Sequence, residues 1–289
     1  MITFITTPPH AYTHSLFVEH FGDRVNQPVH VAAGIPKQIT DLSQSTVIWC
    51  DLERYRDDAV GELEAAQASV GAGIARRSLN AAGRAGRRHE VAATLFASGV
   101  NSHRTLSTRE FEDLAADNAV RYPVFIRRMF EHDGAQSGLL TSYAEVQHAL
   151  ESLALAQDDI AVVEFEDTRC SDGWFRKYGA FYVAGEVIPR HLFVSRCWLN
   201  KGADADQRFS AEELEYVNGN AHSRAIASVF QTCGLEYGRI DYATKDDKLV
   251  VFEINTNPTV IDIGDMNNRA RLEATNAFVR RFAMSLDAL

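Results

Sequence analysis

The stretch "GRIDYATKDDKLVVFEINTNP", residues 238–258, is the one on which the reading of the whole chain turns. Two runs rich in β-branched and aromatic residues, 238–243 and 249–255, flank a charged "TKDDK" suited to an exposed turn, so the stretch reads as a β-hairpin. Residues two apart on a strand share a face. Arg239 and Asp241 therefore sit together on the first strand and Glu253 and Asn255 on the second, while Ile240, Val250, Phe252 and Ile254 point to the other side. One face packs and the other carries polar groups. Two carboxylates and an amide oxygen on one surface call for a cation, because unpaired charges in a cleft are costly and hard oxygen donors suit Mg²⁺. An ion pair between Arg239 and Asp241 on a wet sheet face is the plainer alternative, but it gives Asn255 and the following Thr-Asn-Pro nothing to do.

The rest of the chain is compatible with such a site and excludes several others. At 289 residues it can bury a full core without staples, and its apolar (46%) and charged (24%) fractions are those of a globular protein. A formal net charge of −10 argues against a general hold on nucleic acid or an anionic membrane, so any anion site must be local. Cys50, Cys170, Cys197 and Cys233 are scattered without C-x-x-C spacing and read as free thiols of a reduced compartment. The first residues lack a basic segment followed by an apolar run, and no stretch of about 18 apolar residues occurs, so a cytoplasmic location is expected.

Residues 1 to about 88 alternate short apolar runs ("MITFI", "VHVAAG", "STVIWC") with polar links and then a helix over 57–70, the order of a small α/β unit. The G-x-G in "VGAGIARR" (70–77) follows a helix and lacks a third glycine at the required spacing, so it reads as a loop and not a dinucleotide fingerprint. A helix through 87–99 ends at Gly99. Capping boxes mark helix starts at Ser107 with Glu110, Ser142 with Glu145 and Ser210 with Glu213. Strands are expected at 122–128, 159–165, 175–188, 190–199, 238–243 and 249–255.

"GRID" followed by "FEINTNP" resembles the metal motif of the ATP-grasp carboxylate–amine ligases, G-R-x-D and then E-x-N-T-x-P, most closely in the D-alanine–D-alanine ligase-like and glutathione synthetase-like branch. The resemblance implies an α/β (α+β) ATP-grasp fold with an N-terminal α/β lobe over 1–88, a central lobe over 89–165 and a C-terminal lobe over 166–289. It implies that Asp241, Glu253 and Asn255 hold two Mg²⁺ ions, replaceable by Mn²⁺, and that Arg239 contacts the phosphoryl group in transfer. "YPVFIRRMFEHDGAQSG" resembles the strand and glycine-containing loop that cover the triphosphate, with Arg127 at the usual lysine position and the loop over 132–138, which holds Asp133, Gly134, Ala135, Gln136, Ser137 and Gly138 after His132. Arginine there keeps the charge and adds a bulkier planar fork. "AVVEF" resembles the strand that meets adenine and nominates Glu164 and Phe165, while Arg176, Lys177 and Arg190 match basic residues directed at phosphates or acceptor. Arg88, with Arg87 beside it, falls near a further phosphate-binding lysine.

The resemblance covers about 85–265, and "TNPTVID" departs from the "TxPGMT" of D-alanine–D-alanine ligases, so D-alanyl-D-alanine synthesis is not expected. Residues 1–25 also lack a counterpart of those enzymes' substrate motif. What the family implies is ATP binding, activation of a small carboxylate as an acylphosphate and its capture by an amine. Small-molecule substrates are then the partners, with a homodimer left open. A kinase on the same scaffold and a nucleotide-binding protein without turnover stay as alternatives.

Overall fold

A computed structural model describes residues 1–36, 42–81, 86–153, 156–200 and 206–289, and its architecture is three sheets with helices between them. Strands β1 (Ile2–Thr6), β2 (Val29–Ala33), β3 (Thr46–Trp49) and β4 (Arg77–Leu79) form a parallel sheet in the order β2-β1-β3-β4, with α1 (Tyr12–Phe21) and α2 (Asp57–Ser69) as crossovers. Parallel strands are covered on both faces, which is why β1 and β3 are buried throughout. "VGAGI" continues α2 as one wide turn, with Gly73 at φ 104°, and so lies outside any strand-to-helix phosphate turn. Helix α3 (Arg88–Ala97) follows and closes at Gly99, whose φ of 72° is the left-handed C′ geometry read from the sequence.

The second sheet is antiparallel, in the order β5 (Thr105–Ser107), β7 (Ile160–Glu164), β6 (Val124–Arg128), and is backed by α4 (Thr108–Ala116) and α5 (Tyr143–Leu153). Leu106, Phe111, Val124, Val146 and Val162 make its own small core. The capping box at Ser107 and Glu110 is complete. At α5 only half forms: Ser142 Oγ accepts from the Glu145 amide, but the Glu145 carboxylate reaches the Thr141 amide instead.

The third sheet is also antiparallel, in the order β11 (Lys248–Asn255), β10 (Tyr237–Lys245), β8 (Phe175–Val183), β9 (Glu186–Ser195). Helices α6 (Ser210–Asn218), α7 (Ser223–Thr232), α8 (Ile263–Asn267) and α9 (Arg269–Asp287) complete this part. Two expectations change here. The break expected near Pro189 lies at Ala184 and Gly185 (φ 49° and 117°), and β9 runs through the proline, which an edge strand tolerates because no ladder donor is needed there. No capping box forms at Ser210, which is the first helical residue, because Glu213 turns inward to Arg271 (2.9 Å) and to the Leu192 amide.

The first and third sheets share their cores: Phe4, Phe17 and Ile48 pack with Phe181, Tyr237 and Phe278, and Trp49 packs with Phe230, Ile240 and Tyr242. Val91 and Leu95 of α3 join the second of these clusters, so this helix is anchored to the outer sheets. The middle sheet stands apart and leaves a cleft against the third. Among the described residues no helix is long and apolar enough to cross a membrane, and all four cysteines are free.

Candidate active site

The hairpin forms as read, with Asp246 and Asp247 both at positive φ (49° and 59°) in a two-residue turn. Arg239 lies opposite Asn255 and Asp241 opposite Glu253, so the four polar residues meet across the strand pair. Gly238 precedes Arg239 because the backbones come close: a Cβ there would lie 2.8 Å from the Asn255 carbonyl oxygen. Phe252 departs from the expected alternation. The register shifts between Asp241 and Tyr242, the latter pairing with Val251, so Phe252 falls in a bulge and lines the cleft, 39% exposed, instead of packing with Ile254.

The cleft holds a cavity of about 560 Å³ with a charged end and an aromatic end. At the charged end Asp241 accepts from Arg239 Nε at 2.7 Å, with Lys177 Nζ 3.7 Å away. Glu253 accepts from Arg127 Nη2 at 2.9 Å and lies near Arg88 (3.5 Å) and His132 (3.8 Å). Burial alone would raise the Glu253 pKa, but Arg127, His132 and Arg88 hold it well below the usual carboxylate range. Asn255 donates to Glu253 Oε1 at 3.4 Å, and its own Oδ1 is buried with no hydrogen-bond partner among the described residues. That stranded oxygen beside two carboxylates is a donor set a hard divalent cation would complete. Among the described residues no group of three His, Cys, Asp or Glu side chains is placed to hold a metal, so a cation here would need the amide oxygen as its third protein donor.

The loop after β6 divides in two. Asp133, Gly134 and Ala135 line the cavity, with His132 before them. Gln136, Ser137 and Gly138 do not: the Gln136 amide donates to the Ile126 carbonyl (2.7 Å), and Ser137 Oγ accepts the Ile126 amide and donates to the Gly138 carbonyl. The second half of the loop pairs back onto its own strand. Arg88 is likewise redirected, since its Nη1 donates to the carbonyls of Arg128, Met129 and Glu131 at 3.2, 2.6 and 2.7 Å, holding the base of the loop. Arg54 and Glu53, on the short helical turn after β3, reach the same loop, Arg54 to Glu131 at 3.2 Å and Glu53 to His132 at 3.3 Å.

The aromatic end is walled by Phe125, Val163, Phe165 and Trp198, with Trp198 5.0 Å from the Phe125 ring and 5.5 Å from Phe165. Glu164 borders this end, but its carboxylate is engaged by the Arg104 and Arg121 amides (3.0 and 2.9 Å) and the Arg104 guanidinium. Two basic candidates are also occupied. Arg176 is clasped by Glu212 (2.7 Å) and Asp172 (2.8 Å), and Arg190 is buried, donating to Asp265 and the Val260 carbonyl at 3.1 Å each. Arg190 is the extra residue where β9 slips against β8, Gly179 facing His191 and Ala180 facing Pro189, and this turns it toward Phe278. Lys177 alone of the three reaches the hairpin carboxylates. Trp198, Arg54 and Glu53 were not anticipated; Trp198 sat in an expected strand, and nothing local marks the other two as neighbours of the loop.

A second cavity of about 540 Å³ shares Lys177, Arg239, Asp241 and Thr259 with the first and continues over Phe193, His191 and Arg271.

No protein-family model matches the chain, and no curated protein matches it by sequence. Solved structures do match over nearly the full length. The VanG D-Ala:D-Ser ligase from Enterococcus faecalis is 13% identical with a TM-score of 0.56, covering 99% of this chain and 98% of that one. D-alanine–D-alanine ligase from Bacillus anthracis, complexed with ATP, is 13% identical with a TM-score of 0.54, at 99% and 97% coverage. The ATP-grasp ligase PsnB, complexed with a phosphomimetic variant of its minimal precursor, Mg and ADP, is 12% identical with a TM-score of 0.52, covering 96% of each chain. The chain has the α/β ATP-grasp fold, as the hairpin motif implied.

Proposed function

We propose that the chain is an ATP- and Mg²⁺-dependent ligase that activates a small carboxylate as its acylphosphate and joins it to an amine, with ADP and phosphate released. The observation that carries this reading is the buried Asn255 Oδ1, without a partner among the described residues, beside Asp241 and Glu253 at the charged end of a cavity whose other end is aromatic. The fold supports it, since two of the similar structures were determined with ATP or with Mg and ADP.

Asp241, Glu253 and Asn255 would hold the metal. Bound there, Mg²⁺ would offset the charge that develops on the phosphate oxygens. Arg239, oriented by its bond to Asp241, would present its remaining guanidinium donors to the phosphoryl group in transfer, at no reorganisation cost when the reaction occurs. Arg127 and Lys177 would bind the triphosphate from the two sides of the cleft, Arg127 exchanging its bond to Glu253 for the nucleotide. Gly134 and Ala135 would cover the phosphates and keep water from the acylphosphate. The second cavity, opening beside Arg239 and Asp241, would receive the carboxylate and the amine. The lobes 1–88, 89–165 and 166–289 remain part of this proposal, with the middle one closing on the nucleotide.

An ADP-release screen over pairs of amino acids and small carboxylates with Mg²⁺ tests the reading. ADP, phosphate and an amide in equal amounts, all dependent on the amine, are expected. A stable phosphorylated product made without amine would make the protein a kinase. One observation favours a third reading, nucleotide binding without turnover: Arg127 stands where a lysine is usual and closes on Glu253 at 2.9 Å. Tight ATP binding with no ADP from any pair would establish it.

A further inference from the structure

At the aromatic end of the larger cavity two buried polar atoms have no partner among the described residues, His103 Nδ1 and Asn200 Oδ1, each on a residue 7% exposed. Their hydrogen-bonding characters are set by their neighbours. Asn101 donates from Nδ2 to the Val251 carbonyl at 2.8 Å and accepts the Val251 amide at 2.9 Å, so the backbone of β11 dictates which end of this amide is nitrogen. The other Nδ2 proton is directed at His103 Nε2, 3.3 Å away, which makes that ring nitrogen the acceptor. In a neutral imidazole the proton is then on Nδ1. Burial keeps the ring neutral, lowering its pKa to about 4 against the opposing charge of Glu166. Asn200 is equally constrained, because Nδ2 donates to the carbonyls of Phe193 (2.7 Å) and Phe175 (3.4 Å), and a carbonyl can only accept. Its Oδ1 is therefore an acceptor and nothing else.

The residues that line the cavity thus include one whose free ring nitrogen is a donor and one whose free amide oxygen is an acceptor, alongside the flat walls of Phe125, Phe165 and Trp198. We propose that His103 and Asn200 read the edge of the nucleobase, Nδ1–H donating to a ring nitrogen and Oδ1 accepting from an exocyclic amine. Adenine has that pair on one edge, its 6-amino group beside a bare ring nitrogen. A 6-oxo purine sets a carbonyl oxygen where Asn200 has only an oxygen to offer, and the two lone pairs repel. The inference rests on the nucleotide reading above and deepens it: the base is selected by one side chain just before β5 and one just after β9, while the Glu164 carboxylate on the strand first nominated is engaged by Arg104 and Arg121.

The test is calorimetric titration of the full chain with ATP, inosine triphosphate and inorganic tripolyphosphate, each with Mg²⁺. ATP is expected to bind at least about 10-fold more tightly than inosine triphosphate, the scale of one mismatched buried pair. His103→Phe keeps a ring in the wall and removes the donor, so it should weaken ATP by about 10-fold and leave tripolyphosphate unchanged. Asn200→Ser should narrow the preference for ATP over inosine triphosphate. Equal binding of the two nucleotides by the unaltered protein, or an undiminished ATP affinity in His103→Phe, would overturn the inference while the nucleotide reading stood. Failure of both ATP and tripolyphosphate to bind would remove the nucleotide reading itself.

Discussion

Glu253 is the residue where electrostatics and proposed chemistry meet. Its carboxylate is held ionised by Arg127, His132 and Arg88, and the two guanidinium groups depend on it in return. Glu253→Gln keeps the shape and removes the charge, so two losses are expected. Turnover should fall by about 10²–10⁴-fold, the scale of losing a main electrostatic stabiliser. Stability should fall by about 1–3 kcal/mol, because nearly buried guanidinium groups lose their counter-charge. Asp241→Asn should follow the same pattern through Arg239 and Lys177. ADP release and thermal unfolding check both; turnover within about twofold of the unaltered protein would contradict the account. Asp241, Glu253 and Asn255 were legible in the sequence because strand alternation is a local rule. The fates of Glu164, Arg176 and Arg190 were not, because charge type says nothing about whether a partner arrives from elsewhere in the chain, as Arg104, Glu212 and Asp265 do.

At the scale of elements, the site depends on how closely β10 and β11 approach at their open end. Gly238→Ala would place a methyl group 2.8 Å from the Asn255 carbonyl, a backbone atom that cannot swing aside. We expect a loss of about 1–3 kcal/mol, the usual cost of overpacking, together with weaker ATP binding in Mg²⁺ as Asn255 is displaced. Urea unfolding and calorimetry measure these, and a stability change below about 0.5 kcal/mol with full affinity would show that the close approach is not needed. Propensity and turn chemistry made the hairpin readable. The bulge that brings Phe252 into the cleft was hidden, since a one-residue slip is decided by pairing and not by composition. The three expected capping boxes show the same limit: one is complete, one shifts to Thr141, and one is lost because Arg271 captures Glu213 from 58 residues away.

For the molecule as a whole, the α/β class was legible in the alternation of apolar runs, but the fusion of the first and third sheets through shared cores was not, because it is built from contacts distant in sequence. Three histidines are buried neutral, burial lowering His14 to about 3 and His103 to about 4, and burial together with the nearby Arg239 holding His191 well below its usual range. In the unfolded chain all three titrate near about 6.5. Below that pH the unfolded state takes up protons the folded state refuses, so stability present at neutral pH is lost as pH falls toward about 4. The expected slope is up to about 1.4 kcal/mol per pH unit for each histidine. The carboxylate Glu53, lowered to about 2 by His132 and Thr256 against its burial, adds its own loss only below about 4.5. Melting temperature should therefore drop between pH 6.5 and 4.8, and less steeply in His103→Phe; a flat profile over that window would contradict the buried neutral state.

The central claim is that the hairpin carboxylates and Asn255 complete a nucleotide-bound metal site. A crystal structure with a non-hydrolysable ATP analogue and Mg²⁺ tests it most directly. The account predicts a cation within about 2.0–2.1 Å of oxygens from Asp241, Glu253 and Asn255, with Arg127 turned from Glu253 to the phosphates. An analogue bound in the cavity with Arg127 still on Glu253 and no cation at those three residues would contradict it.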